Sequence, residues 1–553
     1  MDGSRRRRRG PSSSVVSGAA FRILVLLLAI AVLVSCLLAL RLEAIAADGR
    51  SLLDAPPRAA RDEEAAPRQR QPHLHPKLPH LPAFPAIAGE EALRDGTLRG
   101  DRPTVAGVAS VLYRHLRELH ESNRRIAKGL RNGKRGGPRR RDEEAAEVRR
   151  SYFDLVDRNL RGMEDAYRGR PMFPIRRDGS VFVSVASFRE HLLGETLASA
   201  FGQAARPDKL FVGVIVNNCF GTDDDFPCKG TAEVTGRDGR GLDVLRSVDG
   251  VADANHIETF CANSTFAGYC EAGQLRVLYV HEVDALGPAV ARYYSSRLWG
   301  GETYFMQVDS HLRFARDWDV LLAEDLRLTS SFPRSVLSTY PPGFVNFRPD
   351  PPYLPGTRLC RCQIRVDEDY LPRVEMRGRS SVNETSPSQT PFMGAGLFFT
   401  TAEFLVDVPF DPYLPWLFMG EEAALSVRAW TAGWDMYAPR RSLVGHQYRP
   451  VRYGNPHYWD IWGKFYRRPQ MEDRLSPTTH DRIKVMLGYP EVTSVASGGV
   501  AGRRVASNYS LVELDKYGLG SRRSRQEYLQ FAEIDLDKRT CGGLEWCAEG
   551  TLQ

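Results

Sequence analysis

Beyond its first 40 residues the chain carries almost no excess of charge. Six arginines against Asp2 give that segment +5 of the formal net +7, so the rest of the 553 residues share only +2. That balance excludes a nucleic-acid binder, whose affinity needs a concentrated basic face. Internal repeats are missing too, and with them the repeat architectures. Long apolar runs are confined to one place, Ile23 to Leu40, 18 residues without a charge behind Arg5 to Arg9 and Arg22. A helix of that length just crosses a bilayer, with the basic cluster left in the cytosol. The competing reading is a cleavable signal peptide, since Ala44-Ile45-Ala46 resembles a cleavage site, although its apolar core would be longer than usual. The anchor reading sends the bulk of the protein into the secretory lumen.

Cysteine is sparse, nine in all, and one of them, Cys36, lies in the apolar run. The other eight are Cys219, Cys228, Cys261, Cys270, Cys360, Cys362, Cys541 and Cys547. An even number in an oxidising compartment favours disulfides, with the pairing open. Cys360-Arg361-Cys362 lacks the spacing of the usual zinc pairs. Asn263, Asn383 and Asn508 begin sequons that permit N-glycosylation in such a lumen. With 42% hydrophobic and 10% aromatic residues, a large core can be built.

Composition divides the chain into a basic cytosolic tail (1–22), the membrane anchor (23–40) and a stem (41–141) rich in Pro, Ala and Arg that reads as extended. His73, His75 and His80 fall in its proline-rich spacer, which holds no ligands in place. Glu143 to Tyr167 has helical periodicity and both charge signs, which makes 142–177 a helical linker. A globular part follows over 178–470. It opens on a β-branched strand from Val181, then a helix-like segment and a second strand, Leu210 to Val216, which together predict a βαβ unit of a parallel sheet. Gly287 to Leu298 reads as a helix, Tyr304 to Val308 as a buried strand, Pro391 to Thr400 as a glycine-rich strand, and Glu421 to Trp430 as a helix opened by a carboxylate pair. Residues 471–553 form a C-terminal extension packed on the globule, with Tyr517-Gly518-Leu519-Gly520 as a helix stop or loop.

The chemistry gathers in two blocks. Asp309-Ser310-His311 sits where a strand leaves the sheet, the place where open α/β sheets bind ligands, and its carboxylate and imidazole suit a divalent ion such as Mn²⁺. Glu421-Glu422 and Val444-Gly445-His446-Gln447-Tyr448-Arg449 add a carboxylate pair, another imidazole and a cation. Each residue has a plainer alternative. For His446 it is a buried histidine bonded to backbone, for Arg292 a surface helix charge, for Ser187 a turn residue, and for Glu421 and Glu422 partners of a helix N-terminus.

Ser184 to Glu190, Leu298 to Phe314, Asp411 to Glu422 and Tyr517 to Gly520 together resemble the hydroxyproline- and threonine-directed polypeptide α-N-acetylglucosaminyltransferases over about residues 178–540. A more distant likeness is to the polypeptide N-acetylgalactosaminyltransferases, from which the chain departs at Phe418-Met419 and Glu422 and in having no recognisable C-terminal lectin repeat. The resemblance implies an α/β, GT-A (Rossmann-like) nucleotide-sugar-binding domain with Mn²⁺ or another divalent cation. It implies Asp309, His311 and His446 as metal ligands. Ser187, Phe188, Asn217 and Arg292 would then surround the nucleotide, and Gly394 and Gly396 would let the backbone close on the donor sugar. Glu421 would stand at the donor–acceptor interface and Arg449, with Arg452, in a loop over the pyrophosphate. The implied activity is retaining transfer of N-acetylglucosamine from UDP-N-acetylglucosamine to a polypeptide hydroxyl, in a single-pass type II protein of the Golgi membrane. Its competitors are another UDP-sugar, a glycan acceptor, or an inactive lumenal carbohydrate-binding protein.

Overall fold

The computed structural model describes residues 103–549, apart from 132–137, 240, 379–384, 449–455, 467–470 and 495–503. They belong to one compact unit, Leu74–Gln553. Ile23 to Leu40 lies outside the described residues, and among those described no helix is long and apolar enough to cross a membrane.

Two long helices come first, α1 (Val105–Arg131) and α2 (Pro138–Ala166). Then follow β1 (Val181–Phe188), α3 (Leu193–Gln203), β2 (Leu210–Asn218) and a hairpin of β3 (Thr231–Arg237) and β4 (Asp243–Val248). The next elements are β5 (Leu275–His281), α4 (Pro288–Ser296), β6 (Tyr304–Val308), β7 (Leu312–Phe314) and β8 (Ser335–Ser338). A second hairpin pairs β9 (Arg361–Ile364) with β10 (Pro372–Glu375), and β11 (Ser388–Thr390) and β12 (Leu397–Thr401) lead to α5 (Glu421–Thr431). β13 (Asp435–Ala438), β14 (Val444–His446) and α6 (Glu472–Leu487) follow, before the short helices and strands of the C-terminal extension.

Eight strands form one sheet in the order β11-β13-β8-β12-β6-β1-β2-β5. The βαβ unit is present, β1 lying parallel to β2 with Val181 opposite Leu210. The sheet is nevertheless mixed, because β12 runs antiparallel to both β6 and β8. Period-two alternation explains the layers. Val181, Val183, Val185, Val212, Val214, Val216, Met306 and Val308 join one core, while Phe182, Ile215, Phe305 and Phe398 join the core of the opposite face.

The extended-stem reading fails over 105–131, which is helix. Val108, Val111, Leu112, Leu116 and Leu119 recur at helical spacing and are buried. Tyr113 Oη donates to the Val277 carbonyl at 3.3 Å, and His115 Nε2 lies 3.1 Å from Tyr294 Oη. α2 starts at Pro138, so the expected boundary between stem and linker at 141/142 falls inside a helix. The C-terminal extension is tied down by Cys360–Cys547 and Cys362–Cys541, while Cys219–Cys228 and Cys261–Cys270 close local loops.

Candidate active site

The parallel strands β1, β2 and β6 all end at one edge of the sheet, which brings Ser187, Phe188, Asn217 and Asp309 together. The antiparallel β12 begins at that same edge, Leu397 facing Val308, so Gly394-Ala395-Gly396 arrives there too. The Asp309 N–H donates to the Gly396 carbonyl at 3.2 Å. A cavity of about 530 Å³ opens between them, lined by Ser187, Phe188, Asn217, Arg292, Asp309, His311, Gly396, Glu421 and His446. A side chain at Gly396 would put its Cβ 2.9 Å from Asp309 Oδ2, so glycine keeps the carboxylate open to the cavity. Gly394 stands behind, where a Cβ would meet the Tyr340 ring at 2.8 Å. Arg449 and Arg452 lie outside the described residues.

His446 reaches Asp309 and His311 through a two-strand pairing, β14 running antiparallel to β7 with His446 opposite Leu312. His446 Nε2 lies 3.1 Å from His311 Nε2 and 3.2 Å from Asp309 Oδ2. His311 Nδ1 faces Glu190 Oε2 at 2.8 Å, which places a proton on Nδ1 and leaves the Nε2 lone pair directed at its neighbours. Burial pushes both imidazoles below the ordinary histidine range and so keeps them neutral. Burial also pushes the Asp309 carboxyl up, but hydrogen bonding to His446 and the charge of Arg292 outweigh it and hold Asp309 well below the usual carboxylate range. The result is an ionised carboxylate and two neutral rings converging on one point. His446 Nδ1 is buried without a hydrogen-bond partner among the described residues. This donor set fits a divalent cation of borderline character.

Arg292 is buried, 6% exposed, and is therefore not a surface helix charge. Its two terminal nitrogens reach Asp309 Oδ1 at 3.0 Å and Glu421 Oε2 at 2.5 Å. Burial raises the Glu421 carboxyl, and Arg292 opposes that rise. Glu422 points elsewhere, accepting from the Ala395 N–H at 2.8 Å and from Tyr340 Oη at 2.5 Å. Burial pushes it up to about 7. Sequence reasoning missed Glu190 and Tyr340, whose partners are set only by the fold. It also missed an aromatic wall in which Phe188 meets Tyr458 edge-on, their centroids 6.4 Å apart, and Tyr458 meets Trp416 and Trp459.

His120, His281 and Asp284 form a second group whose donor atoms lie within 4.8 Å of one another. Its protons oppose an ion. His120 gives Nδ1 to Asp284 at 2.7 Å and Nε2 to Asp223 at 2.9 Å, and His281 Nδ1 accepts the Val283 N–H at 3.3 Å. Burial lowers His120, but the two carboxylates win and raise it to about 9, so it is an imidazolium clamp between α1 and the loops beside β2 and β5.

A carboxylate and two imidazoles thus meet at the strand ends of a mixed α/β sheet. The chain belongs to the GlcNAc glycosyltransferase family, whose model matches residues 180–538. No curated protein matches the chain. Among solved structures it is similar to GalNAc-T7 with UDP, GalNAc and Mn²⁺, at 14% identity and a TM-score of 0.35 over 64% of this chain and 56% of that one. It is also similar to Staphylococcus aureus TarS 1–349 in complex with UDP-GlcNAc, at 11% identity and a TM-score of 0.29 over 55% and 70%. A third is the mannosyltransferase PcManGT of Pyrobaculum calidifontis in complex with GDP-Man and Mn²⁺, at 15% identity and a TM-score of 0.27 over 66% and 82%. The chain thus spans little more than half of the GalNAc-T7 structure.

Proposed function

We propose that the chain is a retaining GT-A glycosyltransferase that moves N-acetylglucosamine from UDP-N-acetylglucosamine to a hydroxyl of a polypeptide, on Thr, Ser or hydroxyproline. Its catalytic domain would face the Golgi lumen behind one N-terminal membrane helix. The observation that supports this most is one cavity holding the Asp309, His311, His446 group and the buried Glu421, with Arg292 joining them.

In this reading Asp309, His311 and His446 hold Mn²⁺ or another divalent cation, which when bound supplies positive charge to the leaving diphosphate. Ser187, Phe188 and Asn217 contact the nucleoside. Gly396 admits the donor sugar close to the backbone, Gly394 lies behind it, and Arg449, outside the described residues, would supply positive charge to the pyrophosphate. The bond from the sugar C1 to the diphosphate oxygen breaks, a bond from C1 to the acceptor oxygen forms on the same face, and the hydroxyl proton passes to the departing diphosphate. Glu421 stabilises the positive charge that develops at C1 or orients the acceptor hydroxyl. Arg292 offsets part of the cost of burying that carboxylate and holds it in place.

The test is incubation of the purified full chain with Mn²⁺, a panel of UDP-sugars and peptides containing Thr or hydroxyproline, with products weighed by mass spectrometry and the new anomeric centre read by NMR. An α-linked N-acetylhexosamine added to peptide from UDP-N-acetylglucosamine is expected. Transfer from another UDP-sugar alone, or to glycans and no peptide, would overturn the donor or the acceptor. No transfer from any donor would overturn the transferase reading.

A further inference from the structure

Glu190 has no task in the transfer just described, yet it is 4% exposed and contacts one of the three donors. It is the second residue beyond β1, and the preceding Arg189 has a left-handed backbone, φ 46°, which a non-glycine residue holds only where its surroundings enforce it. The surroundings are on hand. The Arg189 N–H donates to the Asn217 carbonyl at 2.8 Å, and its guanidinium is locked by Asp253 and Glu282, each at 2.7 Å, and by Thr231 Oγ1 at 2.9 Å. This turn fixes where Glu190 points. One carboxylate oxygen faces His311 Nδ1 at 2.8 Å, and the other accepts the Leu192 N–H at 3.0 Å and lies 3.2 Å from His191 Nδ1. His191 Nε2 stands 3.4 Å from Asp243 on the exposed hairpin strand β4.

We infer that Glu190 is a positioning residue of the metal centre, holding the His311 ring with its proton on Nδ1 and its Nε2 lone pair turned toward Asp309 and His446. Histidines that ligate a metal commonly give their second N–H to a carboxylate, which sets the tautomer and raises the basicity of the ligating nitrogen. Loss of that partner weakens metal binding by about 10–100-fold. The inference rests on the metal reading of the preceding section.

A structural role is the competing account, since Glu190 also bonds backbone at the start of α3, and the two are separated by titrating Mn²⁺ calorimetrically into the EDTA-stripped full chain without donor or acceptor. Glu190→Ala should weaken Mn²⁺ toward ~100-fold, and Glu190→Gln, whose amide oxygen still accepts the Nδ1 proton, by ~10-fold. Metal-free melting curves record how far each variant is destabilised, and if the alanine variant does not fold, the glutamine variant decides. Wild-type Mn²⁺ affinity in either folded variant overturns the inference, even if the protein melts earlier. A wild-type chain that binds Mn²⁺ but transfers no sugar sinks the transferase reading and leaves this inference standing. A wild-type chain that binds no Mn²⁺ at this site sinks both.

Discussion

At the scale of single residues, Asp309 and Glu421 share Arg292 but should fail differently. Asp309→Asn removes the ionised donor, and His446→Ala removes one of three. Both should weaken Mn²⁺ in a calorimetric titration while leaving the metal-free circular dichroism spectrum in place. Glu421→Gln should keep UDP and Mn²⁺ affinity while transfer falls ~10²-fold or more, the scale of losing one positioned group. Near-normal turnover would make Glu421 a structural partner of Arg292. Asp309 and His311 were legible because two residues of spacing at a strand end leave little choice of direction. The route that brings His446 to them was not, since the pairing of β7 with β14 follows no local pattern. Gly445 was the hint: a Cβ there would come 2.4 Å from the Phe347 ring, so only glycine permits that close packing. Arg292 was legible as a charge but not as a bridge, because its burial depends on how α4 packs.

At the scale of elements, α1 changes where the folded part begins. Its apolar spacing was in the sequence, hidden by the proline- and arginine-rich composition around it. Each buried apolar side chain of α1 is worth ~1.5–3 kcal/mol. Protein beginning at residue 142 should therefore melt well below protein beginning at 103 or should aggregate, as differential scanning calorimetry would report. His120 gives α1 a pH signature. Its folded value of about 9 lies above the ordinary ~6.5, so its contribution is complete below ~6.5 and is lost as pH rises through about 9. Melting temperature should fall across that window, and His120→Gln should flatten the fall. An unchanged slope in the variant would remove the clamp. The helix over Glu421 to Thr431 and the strands β1, β2 and β6 were readable from periodicity alone. The reversed direction of β12 was not, because an apolar glycine-rich run looks the same in either orientation.

At the scale of the whole molecule, the even cysteine count announced disulfides but not the long-range pairs. Cys362→Ser with Cys541→Ser should cost ~2–4 kcal/mol of stability in denaturant unfolding. It should also lower transfer, because the hairpin held by that bridge carries Arg373 and Val374 into the cavity wall. Unaltered kinetics with lowered stability would confine the bridge to a mechanical role. The same pairs set an order of events. Cys541 and Cys547 trail their partners by 179 and 187 residues, whereas the other two bridges close over 9. At ribosomal speed the partners of Cys360 and Cys362 would be made roughly 10–40 s after them. A chain broken off before residue 541 never fills them. On the lumenal reading proposed above, two thiols side by side on an unfinished cavity wall would offer a handle to a thiol-reading chaperone, and the last bridges to form would report that the pocket was built to its end.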